Sequence, residues 1–409
     1  MTWLPLTLAG VGLTGVVLAL VSSPMQRWVP LTEPLLALLL GVLLGPAVLG
    51  LIVVPEATRD VLLLEGTRVL LAWSVMAAAL RFPARTLRGV VKAVLILLVV
   101  VMPISAGLTA LSALALGVPW AIALLIGACL APTDPVLAAS VVTGKPAQHS
   151  LSARVRATLT IESGANDGLG IVLVGIGIAA VLPERGYLDA VGEVAWELLA
   201  AGVVGVTLGL LAGRGLTFAR SKGELGRGPE LVYTLLLALA VLGVTRLLSA
   251  DGVLAVFLAG LAYNCVVPGT PREHQVAVDE GINRYAVIPL FALLGIVLPW
   301  ADWRDLGWPA VVFVLGVVLL RRPGVVLLLA HRLGVGPAQG FFMGWFGPMG
   351  VSALFYLAHA RDEGVTDPGL FAAVTLAVTA SVVVFGLTSS PGRRWYAARL
   401  APASSAGRR

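Results

Sequence analysis

Two short stretches, Pro132-Thr133-Asp134-Pro135 and Glu162-Ser163-Gly164-Ala165-Asn166-Asp167-Gly168, decide how this chain folds. Both lie inside apolar runs that are long enough to cross a membrane, so they place three carboxylates where hydrocarbon is expected. An ionisable side chain at that depth is costly, and it normally faces a partner or a water-filled cavity. We therefore interpret these residues as a functional site and the rest of the chain as its scaffold.

The composition indicates a polytopic membrane protein. Of the 409 residues, 58% are hydrophobic and only 12% are charged, whereas soluble domains carry roughly 25% charged residues. The two cysteines and four scattered histidines give neither a disulfide framework nor a metal-binding spacing. Basic residues alternate with apolar runs and form no single face, which argues against a nucleic-acid partner. The first apolar run lacks a basic start and a cleavage site, so we expect a spanning helix there, not a signal peptide.

About thirteen apolar runs, each of roughly 20 residues, predict an all-α protein with that number of transmembrane helices. The runs lie at roughly 3–21, 31–53, 61–80, 89–116, 119–142, 157–181, 190–213, 229–248, 252–268, 282–299, 308–330, 338–358 and 368–389. Most loop lysines and arginines follow odd-numbered runs or lie after Pro391. The positive-inside rule then predicts a multi-pass protein of the cell (plasma) membrane, with the N-terminus outside and the C-terminus cytoplasmic.

Glycine and proline interrupt two of these runs. The fifth run contains Pro132 and Pro135, and the twelfth contains the glycine- and proline-rich segment 344–350. Paired interruptions at corresponding places point to an inverted-repeat transporter with its site near mid-membrane, although kinks that only shape packing are the alternative. Because the two runs lie seven apart, two six-helix repeats joined by one linker helix would bring the broken helices into register.

The sequence excludes several function classes. It has no GxxxxGK[ST] motif and no loop long enough for a nucleotide-binding domain, so the sequence does not predict an ATP-driven pump. A cation channel is disfavoured because no TVGYG-like filter run is present. The YD and GxGD signatures of an intramembrane aspartyl protease are also absent, so we expect no enzymatic activity. The segment after Pro391 is rich in Ala, Ser and Arg and is predicted to be disordered.

The two central stretches predict a site for a small cation. Pro132 and Pro135 disfavour helix, so an unwound turn falls on Thr133 and Asp134 and frees oxygen ligands that suit Na⁺ or Li⁺. In the next run Ser163 and Asp167 are four residues apart and share one helix face, opposite that turn. A buried carboxylate favours its protonated form, whereas a bound cation favours ionisation, so the two ions compete for one site.

Two arginines in the eleventh run have two possible roles. Arg321 and Arg322 could neutralise Glu162 or the empty site, or they could extend to the cytoplasmic surface of the membrane. Glu65 and Arg68, three residues apart, are expected to form a local ion pair outside the ion path.

At these residues the chain resembles the monovalent cation:proton antiporter superfamily, in its sodium/proton exchanger branch. Thr133-Asp134-Pro135 resembles the family's TDP motif, and Glu162-Ser163-x-x-Asn166-Asp167 resembles its ESxxND motif. The resemblance implies a homodimer whose transmembrane antiporter domain (about 1–390) precedes a short cytoplasmic tail (391–409). Within that domain it implies a dimerisation part (about 1–80 and 229–299), a linker helix (about 190–213) and a mobile core (about 89–181 and 308–390).

The resemblance also implies roles for the site residues. It makes Asp134 and Asp167 the ion- and proton-binding carboxylates, Thr133 and Ser163 further ligands of Na⁺, Asn166 a bridge between the broken helices, and Glu162 half of a structural ion pair. The Asn-Asp pair is similar to that of the electroneutral branch, which implies one proton per cation.

The chain departs from the family pattern at two places. Many relatives have arginine where this chain has Met349, so Arg322 or Arg321 is expected to replace it as the partner of Glu162. The run Trp345-Phe346-Gly347-Pro348 resembles a variant of fungal plasma-membrane antiporters. Some members have an acid in the third span, whereas Trp73-Ser74-Val75-Met76 has none, which leaves the preference for Na⁺ over K⁺ open.

Together these observations predict a secondary transporter that exchanges Na⁺ or Li⁺ for H⁺, electroneutrally, in pH homeostasis. Its partners are expected to be a monovalent cation, a proton, the lipid bilayer and a second copy of the chain, with no cofactor. A K⁺/H⁺ antiporter with the same mechanism is the main alternative, and a cation channel is a weaker one.

Overall fold

The protein folds into helices that follow the predicted apolar runs. The structure is a computed structural model that describes residues 32–142, 151–222, 227–267 and 285–400 and a few isolated positions, with no strand among them. In chain order the helices are α1 (Glu33–Leu44), α2 (Glu56–Leu80), α3 (Ala84–Ile96), α4 (Met102–Ala113), α5 (Trp120–Leu130), α6 (Pro135–Val142), α7 (Ala153–Val181), α8 (Tyr187–Ser221), α9 (Arg227–Leu247), α10 (Val253–Val266), α11 (Ile288–Ile296), α12 (Trp300–Leu315), α13 (Pro323–Leu328), α14 (Pro337–Trp345), α15 (Val351–Asp362) and α16 (Pro368–Leu400).

This arrangement confirms the all-α membrane fold. Short π-helical segments, Leu97–Val101 and Gly316–Leu320, join α3 to α4 and α12 towards α13. Within the described residues, seven helical stretches are long and apolar enough to cross a membrane. Each predicted run from 31–53 onward overlaps a helix or a pair of helices, whereas the run at 3–21 lies almost entirely outside the described residues.

The two predicted breaks are present, and they cross. In the fifth run α5 ends at Leu130 and α6 begins at Pro135, and in the twelfth α14 ends at Trp345 and α15 begins at Val351. The breaks touch through their backbones, because the Asp134 amide donates to the Pro348 carbonyl oxygen at 2.8 Å. Helix α7 runs beside them without interruption for 29 residues. The backbone thus brings the two motif stretches to one place.

The prediction of disorder directly after Pro391 is wrong, because α16 continues to Leu400. The aromatic ring of Tyr396 is fully buried and lies 4.7 Å from that of Phe342. Gly392 allows a close approach, since a Cβ there would lie 2.5 Å from the Phe346 ring. Proline removes one helical hydrogen bond, but this aromatic packing holds the last turns in place.

Helices α1 and α11 pack through two glycines. A Cβ at Gly41 would lie 2.0 Å from the backbone oxygen of Ala292, and a Cβ at Gly295 would lie 2.2 Å from that of Leu38. Backbone atoms cannot move aside as a flexible side chain can, so the contact requires glycine on both helices. Small residues that allow close backbone approach are the usual means of packing helices in a membrane.

We expect Gly41→Ala to lower the free energy of unfolding of the detergent-solubilised protein by about 1–3 kcal/mol, the usual cost of overpacking, and so to lower its melting temperature. Gly66→Ala in α2 is the matched control, because nothing lies within 4 Å of a Cβ there. Alanine is the better helix former, so the control is expected to be neutral or to stabilise by up to about 1 kcal/mol. Equal melting temperatures for the two variants would contradict the assigned packing.

Candidate functional site

The structure brings all eight predicted site residues to the crossing of the broken helices. They come from the α5–α6 break, from α7 and from the segment between α12 and α13. Each is at most 3% exposed: Thr133, Asp134, Glu162, Ser163, Asn166, Asp167, Arg321 and Arg322. The ionisable side chains of this set are therefore held away from water, and each of them needs a partner if it carries a charge.

Glu162 is the centre of one hydrogen-bonded cluster. Arg322 reaches its carboxylate with two nitrogens, Nη1 to Oε1 at 2.9 Å and Nη2 to Oε2 at 3.0 Å. The Asn166 amide donates to Glu162 Oε1 at 2.7 Å and to Thr133 Oγ1 at 2.8 Å. The Thr133 hydroxyl contacts the same carboxylate at 3.2 Å. Arg322 is therefore the partner of Glu162 in this chain, and the alternative in which it extends to the membrane surface is wrong.

Arg321 has a different set of partners from its neighbour. Its guanidinium donates to the carbonyl oxygens of Leu130 at 2.6 Å, of Ala131 at 3.3 Å and of Gly347. These carbonyls lie at the C-terminal ends of α5 and α14, where a helix has unpaired acceptors and partial negative charge. Arg321 therefore caps both broken helices and, like Arg322, does not reach the surface.

Asp134 has the complementary position. Its Oδ1 accepts from the amides of Val136 at 2.7 Å and Leu137 at 3.1 Å, and its Oδ2 accepts from the amide of Val351. These amides open α6 and α15, where helices have unpaired donors and partial positive charge. Glycine is needed at Gly350, because a Cβ there would lie 2.3 Å from Asp134 Oδ2. The carboxylate of Asp134 is thus held by both helix starts.

Asp167 is the exception within the site. It is fully buried, yet neither of its carboxylate oxygens has a hydrogen-bond partner among the described residues. The negative charges of Asp134 and Glu162 both act on it. An ionised carboxylate is unfavourable in that position, so Asp167 has to be protonated or paired with a cation. The geometry therefore places two unpaired acceptor oxygens, those of Asp167, at the crossing.

Asn166 and Ser163 make only some of the contacts that the sequence predicts for them. Asn166 links Thr133 of the first break to Glu162 of its own helix, and the described bonds include none from Asn166 to the second break. Ser163 Oγ lies 3.3 Å from Thr133 Oγ1. Of the two predicted hydroxyl ligands, Ser163 has fewer bonds than Thr133, because the Thr133 hydroxyl is also bonded to Glu162 and Asn166.

Sequence reasoning missed two neighbours of Asp167, both on α15. The hydroxyl of Ser352 is fully buried, lies beside Asp167 and has no hydrogen-bond partner in the described part of the chain. The Tyr356 hydroxyl donates to the backbone carbonyl of Asp167. A signal existed, since Ser352 follows the Gly350 break closely and Tyr356 is one helical turn further on, on the same face.

Two interrupted helices that cross beside buried carboxylates define the fold of a secondary transporter. Comparison with known families agrees with this class. The chain belongs to the sodium/hydrogen exchanger family, because the family description "Sodium/hydrogen exchanger, transmembrane" matches residues 15–394. This match confirms the resemblance inferred from the two motifs.

Similar proteins come from fungi and bacteria. The chain is 31% identical to the Na(+)/H(+) antiporter 2 of Zygosaccharomyces rouxii, covering 86% of this chain and 45% of that protein. It is 27% identical to the Na(+)/H(+) antiporter of Saccharomyces cerevisiae (87% and 38%) and 27% identical to the K(+)/H(+) antiporter NhaP2 of Shewanella oneidensis (69% and 49%). The chain therefore spans less than half the length of these relatives.

A solved structure shows the same fold. The sodium proton antiporter MjNhaP1 from Methanocaldococcus jannaschii superposes with a TM-score of 0.76, covering 97% of this chain and 99% of that one at 19% sequence identity. The shared architecture extends over nearly the whole chain.

Proposed function

We propose that this protein exchanges Na⁺ or Li⁺ for H⁺ across a membrane, one for one. The observation that carries the proposal is Asp167, a fully buried carboxylate whose oxygens have no partner in the described structure. A proton or a monovalent cation relieves the same unpaired charge, and binding of one excludes the other. The hydroxyls of Ser163 and Ser352 lie on neighbouring helices and supply further hard oxygen ligands of the kind that small cations prefer.

Coupled exchange follows from the cost of burying charge. With either ion bound, Asp167 is neutralised and the site can change its accessibility. With neither ion bound, the uncompensated carboxylate makes that change unfavourable in a low-dielectric surrounding. The two ion gradients then drive each other, and the exchange uses no cofactor.

Several relatives support this substrate class by name, since the two fungal proteins are called Na(+)/H(+) antiporters. K⁺/H⁺ exchange is the second candidate. It is favoured by the similarity to a bacterial K(+)/H(+) antiporter and by the absence of an acidic residue from Trp73-Ser74-Val75-Met76, which removes one hard ligand.

We also propose the arrangement in the cell that the sequence predicts. The chain lies in the plasma membrane with its N-terminus outside and its C-terminus in the cytoplasm, as the distribution of basic loop residues indicates. It forms a homodimer through residues of about 1–80 and 229–299, while the core carries Asp134 and Asp167. The contact between the two broken helices, at which Asp134 lies, supports placing the ion site within the core part.

Reconstitution into liposomes that contain a pH-sensitive dye tests the proposal. Addition of NaCl or LiCl outside is expected to raise the internal pH, because entering cations drive protons out, and a clamped membrane potential is expected to leave the initial rate unchanged. KCl in the same assay separates the second candidate, and protein-free liposomes are the control. A current without any pH change would favour a channel and contradict exchange.

A further inference from the structure

Two arginines from different helices meet at the end of the molecule that the distribution of basic residues predicts to be cytoplasmic. Arg81 directly follows α2, and Arg156 lies near the start of α7. The Arg81 Nη1 donates to Thr160 Oγ1 of α7 at 3.1 Å. Arg156 lies four residues before Thr160, one helical turn away on the same face. The two guanidinium groups are therefore neighbours, and the charge of Arg81 acts on Arg156.

Arg156 has no counter-charge in the described structure. Its Nε is buried without a hydrogen-bond partner, and its guanidinium forms no ion pair with any described residue. The charge that acts on it is the like charge of Arg81. Burying part of a charged group without a partner is unfavourable. The described residues therefore leave a positive charge at this position uncompensated.

The backbone around the two arginines does not supply the missing negative charge. The first turn of α7 contains no acidic residue, and the start of a helix carries partial positive charge, which disfavours arginine there. At the end of α2, the carbonyl oxygens of Ala79 and Phe82 are already bonded to the side-chain amide of Asn264, at 3.0 and 2.7 Å. An anion from outside the protein would relieve the repulsion between the two arginines.

The position of the pair indicates what kind of anion can reach it. Both side chains are half-buried, so each is accessible from one side. Helix α7 is long and apolar enough to cross a membrane from Ala153 onward, so the pair lies near the level at which lipid headgroups begin. Basic pockets between transmembrane helices on the cytoplasmic side suit anionic headgroups, because that leaflet carries the anionic lipids. The planar fork of a guanidinium also matches the oxygens of a phosphate group.

We propose that Arg81 and Arg156 form a binding site for a phosphate group, of the kind carried by an anionic phospholipid headgroup or by a free phosphate ion. The position at the start of a spanning helix favours the lipid. A bound phosphate neutralises the pair and connects α2 to α7. The pair shares no residue with the ion site, and binding of phosphate there does not depend on the proposed exchange.

Thermal unfolding of the whole protein in detergent tests the site with three probes. Dioctanoyl phosphatidylglycerol is expected to raise the melting temperature, because a ligand that binds only the folded state stabilises it. Dioctanoyl phosphatidylcholine has the same chains and no net charge, and it should give a smaller shift. Inorganic phosphate, at fixed Na⁺ concentration and ionic strength, is the third probe. A shift with phosphatidylglycerol alone supports a lipid site, a shift with inorganic phosphate as well supports a site for phosphate from either source, and no shift with either would overturn the site.

One variant and a matched control test the residues. Arg156→Gln is expected to weaken the apparent affinity for phosphatidylglycerol by about tenfold or more, because it removes charge-assisted hydrogen bonds. Without ligand it should unfold at the wild-type temperature or above, because it removes an unpaired charge. An arginine with a purely structural role would lower that temperature and leave the affinity unchanged, which would refute the site.

Arg332→Gln is the control, since Arg332 is exposed at the same end of the molecule. It removes one positive charge, as Arg156→Gln does, but salt screens separated exposed charges, so the affinity should change by less than about twofold. An equal loss of affinity in the two variants would mean that lipid is attracted by the overall charge of this end, and it would refute a site at Arg81 and Arg156.

Discussion

Asp167→Asn is expected to abolish exchange while leaving the protein folded and more stable. Asparagine has nearly the shape of aspartate, but it can take neither a proton nor a cation in the same way, so coupled transport should fall to the level of protein-free liposomes. Removal of a buried, unpartnered carboxylate should at the same time stabilise the solubilised protein by about 1–3 kcal/mol at neutral pH. The measurements are dye-detected exchange and thermal unfolding of the same preparation.

Ligand-dependent stability gives a second readout for this variant. Wild-type protein should melt at a higher temperature as Na⁺ is added, because a ligand that binds only the folded state stabilises it, by about 1.4 kcal/mol when its concentration is ten times Kd. Asp167→Asn should lose this Na⁺-dependent shift. Glu65→Gln is the control, since the half-exposed Glu65 pairs with Arg68 at 2.7 Å and Arg246 at 2.8 Å and contacts no residue of the ion site in the described bonds. Exchange that survives Asp167→Asn would show that the ion is held elsewhere, whereas an equal loss in the control would show that the loss is not specific to Asp167.

Arg322→Met is expected to destabilise the protein strongly. The substitution leaves Glu162 charged, fully buried and without its bidentate partner, and breaking a buried ion pair from one side costs about 3–5 kcal/mol. Asn166 and Thr133 still contact the carboxylate, but they supply no positive charge. The measurement is thermal unfolding in detergent, with the amount of correctly inserted protein as a second readout.

A double substitution separates pairing from general damage. Glu162→Gln together with Arg322→Met removes both charges, and it should recover most of the lost stability. Arg304→Met is the matched control, because Arg304 is exposed and its described side-chain bond goes to the Trp300 carbonyl. A double variant no more stable than Arg322→Met alone would mean that Arg322 acts through packing and not through its charge.

The sequence predicts the crossing because its cause is local. Pro132 and Pro135 remove amide donors, and Gly347-Pro348 does the same in the twelfth run, so both interruptions could be placed within a residue or two. The placement of carboxylates at the crossing followed directly. The contact between the two breaks could also be predicted, because an inverted repeat brings corresponding segments together.

The division of roles between the two arginines could not be predicted. Adjacent residues on a helix point about 100° apart, so only one of Arg321 and Arg322 can face Glu162. Which one does so depends on the helix phase, and the π-helical segment Gly316–Leu320 shifts that phase just before the pair. Arg322 also has a non-helical backbone with φ of −127°, ahead of Pro323. Neither irregularity has a clear sequence signal.

Tertiary packing accounts for the other differences. The helix after Pro391 is held by aromatic rings from the distant α14, so local composition gave the wrong expectation of disorder. Ser352 and Tyr356 are ordinary residues of an apolar helix, and only the fold places them against Asp167.

The capping of the broken helices determines the net charge of the site. Asp134 is balanced against Arg321 across opposite helix ends, and Glu162 against Arg322, so these four side chains sum to zero. The net charge of the site then depends on Asp167 alone. It is minus one when Asp167 is ionised and binds no ion, and zero when Asp167 binds one proton or one monovalent cation. In the exchange that we propose, the membrane voltage would therefore exert no net force on the loaded site, and the direction of exchange would follow the two ion concentrations.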